Sequence, residues 1–568
     1  MTDQLTPRTL SDRYVDAVVA LDPVTATDLG LPDGADRLPD LSPDGQQARA
    51  DLRARTLGDL AAVEAAAVDL PDEERRCARL LRERLTAQQA VHEAGDGLRD
   101  VGTIFSPLQR VRGVFLLMPR ATDHDWAVVA RRVAAVPDAL AGYRAGLEEG
   151  VRRGTAAGPI QVDAVLAQLD RWLAAEGGRG WFHELAAGGA PALRGELDAA
   201  ADAADAAVAG LRAWLGDRYA PFAHERGRDA VGAERYARSA RLWSGSDVDL
   251  AEAYAWAWEE YAHLDAQLRA EAGRVVPGAT VREAMDHLET AGPAVDGVDA
   301  VLTYLQGLMD GAIAALDGVH FDLAGPVRHV EAMIAPEGSA AAPYYTTPSL
   351  DFSRPGRTWL PTLGATRFPL WQLVSTWYHE GVPGHHLQLA QWVYCADRLS
   401  RYQTTLGGVS ANLEGWALYA ERLMDELGFL TDPGSRLGYL DAQQMRAVRV
   451  IIDIGMHLEL EIPAVQGTAG EAFHPGERWT PALAREFFGR NSGRPAEFLD
   501  SEIVRYLGGP GQAIGYKLGE RAWLAGRDAA RAAHAARGEV FDVKAWHMAA
   551  LSQGSLGLDD LVAELTIL

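Results

Sequence analysis

The chain has 568 residues, 48% hydrophobic and 23% charged, an ordinary globular balance with enough length to bury a large core. Its 79 acidic against 54 basic residues give a formal charge of −25, which argues against a nucleic-acid partner, since that would need a basic face. Two cysteines far apart, Cys77 and Cys395, provide neither a disulfide framework nor a cysteine metal cluster.

The first residues, MTDQLTPRTLSDRYVDAVVA, lack the basic stretch and long apolar run of a secretory signal. No segment approaches the roughly 18–20 apolar residues of a membrane span. A cytoplasmic protein with no membrane partner is expected.

Apolar residues recur at three- and four-residue spacing through Asp51–Glu93, Trp126–Arg153, Ile160–Leu185 and Leu193–Leu215, which predicts helices. The alanine-rich run Ala199–Ala209 reads as plain helix, alanine being the best helix former. A soft boundary near Gly227–Ser246 separates an N-terminal helical region, 1–240, from a region 241–568 that carries the chemistry-bearing motifs. The two are expected to form one continuous helical architecture. Further helices are predicted at Leu250–Glu271, Val281–Ala291 and Val298–Leu316. Strand signals are few: Phe321–Leu323, Val330–Ile334, and the turn-punctuated stretch Ala342–Leu363. The expected fold class is mostly α, with a small β-sheet beside the site.

Three histidines and a glutamate fall within eight residues at His379-Glu380-Gly381-Val382-Pro383-Gly384-His385-His386. Zinc favours imidazole and carboxylate donors, and a catalytic zinc keeps one position open. In a zincin helix two histidines stand at i and i+4, with a glutamate after the first as general base. Here Pro383 occupies the i+4 place. On an ideal helix His385 would sit about 240° round from His379, and His386 would be in line but about 10.5 Å along the axis. Pro383 would clash with the His379 carbonyl, so the helix must kink or bulge, and Gly384 eases this. With the Pro-Gly pair looped out, His385 takes the second ligand place; His386 is the alternative. A third ligand is expected from Ser410–Leu427, where Glu414 and Glu421 lie seven apart on about one helical face. Glu414 is the preferred ligand, and Glu421 a supporting or surface residue.

Other residues offer substrate contacts. Tyr516, in the glycine-rich GGPGQAIGYKLG, is a candidate oxyanion donor or a core phenol. His457 is a second donor candidate. Arg446 or Arg449 could grip a substrate carboxylate, or Arg449 could pair with Asp453 at i, i+4. Arg505, Tyr345 and His386 complete the candidate substrate contacts, and Lys517 is expected to be exposed. Asp351–Arg357 reads either as an edge strand for an extended peptide or as a plain hairpin. GGPG lacks the Gly-Lys-Ser/Thr ending of a phosphate loop, and no nucleophile elbow accompanies a triad.

The blocks YYTTPSLDFSRPGRTWL (344–360), HEGVPGHHLQ (379–388), EGWALYAE (414–421), RAVRVIIDIGMH (446–457) and RYLGGPGQAIGYKLG (505–519), in this order, resemble those of a bacterial family known as domain of unknown function 885. That family is similar to helical gluzincin peptidases such as carboxypeptidase Taq and thimet oligopeptidase. The resemblance implies a large zincin-like helical fold with a deep cleft, His379, His385 and Glu414 as ligands of one zinc ion, and Glu380 as base. The two-residue insertion departs from His-Glu-x-x-His. The expected function is zinc-dependent hydrolysis of an amide bond in short or modified peptides. The alternatives are a metal-dependent lyase or hydrolase acting on a non-peptide metabolite, and a non-catalytic helical scaffold. Other divalent transition metals suit the same donors. Monomer and homodimer are both open.

Overall fold

The computed structural model describes residues 5–67, 69–174, 179–336, 342–464 and 472–568. It is mostly helical, as the apolar spacing predicts. Two compact units emerge. The first comprises Met1–Leu70, Arg84–Arg238 and Ser501–Pro510; the second comprises Pro71–Glu83, Ser239–Asp500 and Gly511–Leu568.

In the first unit, buried Leu108, Phe115, Val129, Val162, Leu169 and Leu211 belong to one core. The predicted stretch Trp126–Arg153 is two helices, Asp123–Ala134 and Val136–Arg152. The break falls where Pro137 would remove an interior hydrogen bond; at the second position of a new helix it costs none. Ile160–Leu185 likewise divides into Pro159–Leu173 and Trp181–Ala187, with 175–178 outside the described residues. The alanine run lies in the helix Arg194–Trp214, where Ala200, Ala201 and Ala204 are buried against Asp123–Ala134 and Val136–Arg152.

In the second unit the helix Pro433–Leu458 is buried on all sides from Leu437 to His457. Such a helix turns no face to solvent and serves as a central post, its buried polar residues being met by neighbouring elements. Leu250–Val275 and Leu370–Glu380 pack along it, and Ser410–Glu426 packs along Gly515–Arg537. That last pair approaches closely: a β-carbon on Gly415 would fall 2.3 Å from the Gly519 carbonyl carbon, and one on Gly519 would fall 2.0 Å from the Ala411 oxygen. The glycines of the EGW and YKLG blocks are therefore packing glycines. Lys517 is fully buried, not exposed, with Nζ 2.8 Å from both Glu260 Oε1 and Gln443 Oε1.

Gly356–Leu360 is the central strand of a three-stranded sheet, parallel to Val330–Ile334 and antiparallel to Tyr344–Thr346. A two-stranded ribbon joins Ala294–Asp296 to Arg367–Pro369. Phe321 makes only an isolated bridge with Asp317. Asp351–Arg357 is not an edge strand. Its first part is a turn in which Asp351 accepts from the Ser353 backbone, and its last two residues enter the central strand, whose edges are both paired. Among the described residues no helix is long and apolar enough to cross a membrane.

An aromatic box closes this unit's core. Trp416 and Trp523 lie 4.8 Å apart, and His547 stacks on Phe321 at 5.0 Å. Arg527 donates to the Tyr419 hydroxyl, which lies 2.7 Å from His547 Nε2 and shares a hydrogen bond with it. Burial keeps His547 neutral, holding its pKa down to about 3. The unfolded chain takes up this proton near pH 6.5 and the native state does not. Stability from this residue is complete above pH 6.5 and is lost as pH falls toward 3, with a ceiling of about 4–5 kcal/mol. Thermal melts at stepped pH should therefore fall more steeply below 6.5 for the wild type than for His547→Gln; parallel curves would contradict this.

Candidate metal centre

The His379 helix, Leu370–Glu380, stops at Gly381, and a second helix, His385–Tyr394, starts at His385. The sequence predicts a kink or bulge; the chain instead makes a four-residue turn between two helices. Pro383 has no N–H to continue the ladder. The Gly384 N–H returns to the Tyr378 carbonyl at 3.0 Å, and the His386 N–H to Gly381 at 3.1 Å. The Pro383 and Gly384 carbonyls both accept from Trp416 Nε1, at 2.9 and 3.1 Å, which ties the turn to the Glu414 helix, Ser410–Glu426.

Gly384 cannot be replaced at low cost. A β-carbon there would lie 2.0 Å from the His379 oxygen and 2.5 Å from the Tyr378 oxygen, both backbone. Gly384→Ala is expected to lower stability by about 1–3 kcal/mol through overpacking and to weaken metal uptake. A melt with elemental analysis reads both, and an unchanged variant would contradict the geometry.

The turn brings His385 beside His379, their rings 4.8 Å apart and nearly perpendicular. Glu414 reaches both: its Oε2 is 3.4 Å from His379 Nε2 and 3.6 Å from His385 Nε2. One donor atom from each residue lies within 4.8 Å of the others. Two donors held ~2.1 Å from a tetrahedral ion are ~3.4 Å apart, so the carboxylate–imidazole spacings match a shared cation. Glu414 Oε2 is buried and has no hydrogen-bond partner. A carboxylate oxygen left so is costly unless a cation meets it. The donor set and this orphaned oxygen both fit a zinc-type ion. His385 and Glu414 keep 12% and 20% of their side-chain surface open, which leaves the centre reachable.

Glu421, two turns beyond Glu414, holds His379 from behind. Its Oε1 accepts from His379 Nδ1 at 2.8 Å, its other oxygen accepts from Ser375, and Arg446 Nη2 lies 3.3 Å from Oε1. A carboxylate on the far nitrogen fixes the tautomer and aims Nε2 at the centre. Sequence spacing placed Glu421 on the right face but left its role between support and surface; it is fully buried. Burial disfavours its ionised form, yet Arg446, His379 and Ser375 hold the carboxyl below its ordinary range. At His379 burial opposes protonation, while Glu414 and Glu421 outweigh it and raise the pKa. Glu414 is held well below the usual carboxylate range by the two imidazoles, against its burial. Glu380 is 7% exposed, and burial pushes its carboxyl up to about 8.

His386 is not brought to the centre. Its Nε2 donates to the Val327 carbonyl at 2.8 Å, and its Nδ1 accepts from the Tyr345 hydroxyl at 3.0 Å. Both ring nitrogens are used, and burial holds its pKa down to about 4. The choice left open between His385 and His386 falls to His385. Tyr345 and His386 thus bind each other and anchor the sheet to the second helix; neither is placed as a substrate contact. Arg446 stands against Glu421 and His379, and Tyr516 lies under Arg446 and Arg449, whose guanidinium carbons are 6.0 and 5.0 Å from its ring centre. His457 is eleven residues beyond Arg446, about 16 Å along the same helix. It is fully buried with Nε2 3.6 Å from Asp453 Oδ1, so it is not brought to the centre. Arg505 belongs to the first unit, where its guanidinium grips Glu502 at 2.7 and 2.8 Å.

The solved structures similar to this chain include the "putative lipoprotein" of Colwellia psychrerythraea, at 21% identity and TM-score 0.80, covering 99% of this chain and 98% of that one. A "putative lipoprotein of unknown function" from Shewanella oneidensis matches at 16% identity and TM-score 0.74, covering 99% and 100%. At these identities the likeness establishes the fold alone. No curated protein matches the chain in sequence. The model of the family described as "bacterial protein of unknown function (DUF885)" matches residues 23–565, and the chain belongs to that family.

Proposed function

We propose that the chain is a zinc-dependent hydrolase that cleaves an amide bond in short or modified peptides, with a gluzincin-like centre. The observation that carries this reading is Glu414 Oε2, buried without a hydrogen bond and facing the Nε2 atoms of His379 and His385. These three residues would hold the ion, and Glu421 would orient His379. The ion supplies a Lewis acid for a carbonyl and for water. Glu380, next in the chain to His379, takes a proton from the attacking water and delivers it to the leaving amine nitrogen. Arg446 and Tyr516 line the same corner and would meet the substrate's polar groups.

Three protein donors among the described residues favour catalysis over a scaffold, since structural zinc sites close with four. The test is hydrolysis of a panel of dipeptides and N-acyl amino acids by zinc-loaded protein, read by amine release. Turnover abolished by a chelator and restored by zinc supports the reading. Turnover of non-peptide amides or esters alone would move it to the metabolite alternative. The cytoplasmic placement is tested by fractionation, and recovery with the membrane pellet would contradict it.

A further inference from the structure

The two imidazoles that face Glu414 are held in different ways. His379 Nδ1 is bonded to the buried Glu421 carboxylate, 2.8 Å away, which fixes that ring from its far side. His385 Nδ1 is buried and meets no hydrogen-bonding group of the described residues. Its ring therefore takes its direction from its backbone and its packing. That backbone is the first residue of the helix His385–Tyr394, directly after the Pro383-Gly384 turn. Whatever holds the start of this helix thus aims His385.

His386, the next residue, is fully buried and pinned at both ring nitrogens. Its Nε2 lies 2.8 Å from the Val327 carbonyl, which can only accept, so Nε2 carries the hydrogen. Nδ1 then presents a lone pair, and the Tyr345 hydroxyl donates to it at 3.0 Å. Val327 precedes the strand Val330–Ile334, and Tyr345 is the middle residue of Tyr344–Thr346. The sheet therefore grips the helix start from two directions. Neighbouring α-carbons are linked at about 3.8 Å by a planar peptide, so a shift of His386 is passed on to His385.

The central strand keeps room for this contact. A β-carbon on Gly356 would fall 2.3 Å from the Tyr345 hydroxyl oxygen and 2.6 Å from His386 Nδ1. Gly356 does not adopt a positive φ, so the strand backbone would suit other residues. The missing side chain is what the tyrosine–histidine pair requires.

We propose that Tyr345 is a positioning residue for the metal: by donating to His386 it fixes the start of the helix that carries His385, and so aims His385 Nε2 at the place His379 and Glu414 share. This rests on the metal reading above. Tyr345 acts through His386 and touches none of the three donors. His379 is steered by a carboxylate on its own ring, and His385 is steered through its neighbour by the sheet.

The test is titration of the full metal-free chain with cobalt(II), read by visible d–d absorption, together with zinc competition against a chelator. Tyr345→Phe removes one oxygen and keeps the ring. Gly356→Ala drives the phenol and the imidazole apart with both still present. Each should weaken zinc by about tenfold or more, as losing a partner that orients a ligand does, and should alter the cobalt spectrum. Tyr344→Phe is the control. Tyr344 points to the opposite face of its strand and stacks on Trp359 at 5.9 Å, so its variant should match the wild type in both readings. A part in stability alone would lower the melting temperature of metal-free Tyr345→Phe and leave its zinc affinity and cobalt spectrum at wild-type values. That result overturns the proposal while the metal reading stands. A wild type that takes up neither cobalt nor zinc overturns the metal reading and this proposal with it.

Discussion

Glu380→Gln is expected to lower amide hydrolysis by about 10²–10⁴-fold, the usual contribution of a positioned general base, while leaving the metal content at the wild-type level. Glutamine keeps the shape of the side chain and cannot take up and return a proton. Glu380 is not among the three donors that converge on one another, so its loss leaves His379, His385 and Glu414 in place. Steady-state rates on the best substrate, with elemental analysis of the same preparation, separate the two effects. Full activity with full metal would end the general-base assignment. Loss of metal together with activity would make Glu380 part of the binding site instead.

Glu414→Ala and Glu421→Gln form the second comparison, because the two glutamates share one helical face and differ in what they touch. Glu414 meets both imidazole Nε2 atoms, whereas Glu421 meets His379 from its far nitrogen. Removing a direct donor should weaken metal affinity by about 10³-fold or more. Removing the orienting carboxylate should cost about 10–100-fold. Competition titration against a chelator of known affinity gives both numbers. Equal losses, or a larger loss at Glu421, would reverse the two roles. Removing Glu421 also leaves Arg446 buried without its carboxylate, so a melt should accompany the titration.

Much of the fold was legible because helix formation is local. Val281–Ala291 and Val298–Leu316 fall where the apolar spacing places them, and the seven-residue separation put Glu414 and Glu421 on one face. Pro383 signalled an interruption between His379 and His385. Its form was not legible: a turn between two helices depends on Trp416, 33 residues away, accepting the role of clamp on the Pro383 carbonyl. Lys517 misled because lysine is rarely buried. The i, i+3 spacing to Glu520 offers one local partner, but Glu260 and Gln443, which complete its burial, come from distant segments that no local pattern announces. His386 looked like a ligand by type, yet the Val327 carbonyl and the Tyr345 hydroxyl claim both of its nitrogens. Residue type and spacing thus reach the donors that share a helix face, and stop where side chains from distant segments decide which nitrogen is free.

If His379, His385 and Glu414 hold one divalent transition metal, elemental analysis of the full chain purified without chelator should find about one equivalent of zinc or a similar ion per wild-type chain. The His379→Ala variant should be near-empty and still folded. A wild type that carries no transition metal and rebinds none on dialysis against zinc would contradict this assignment.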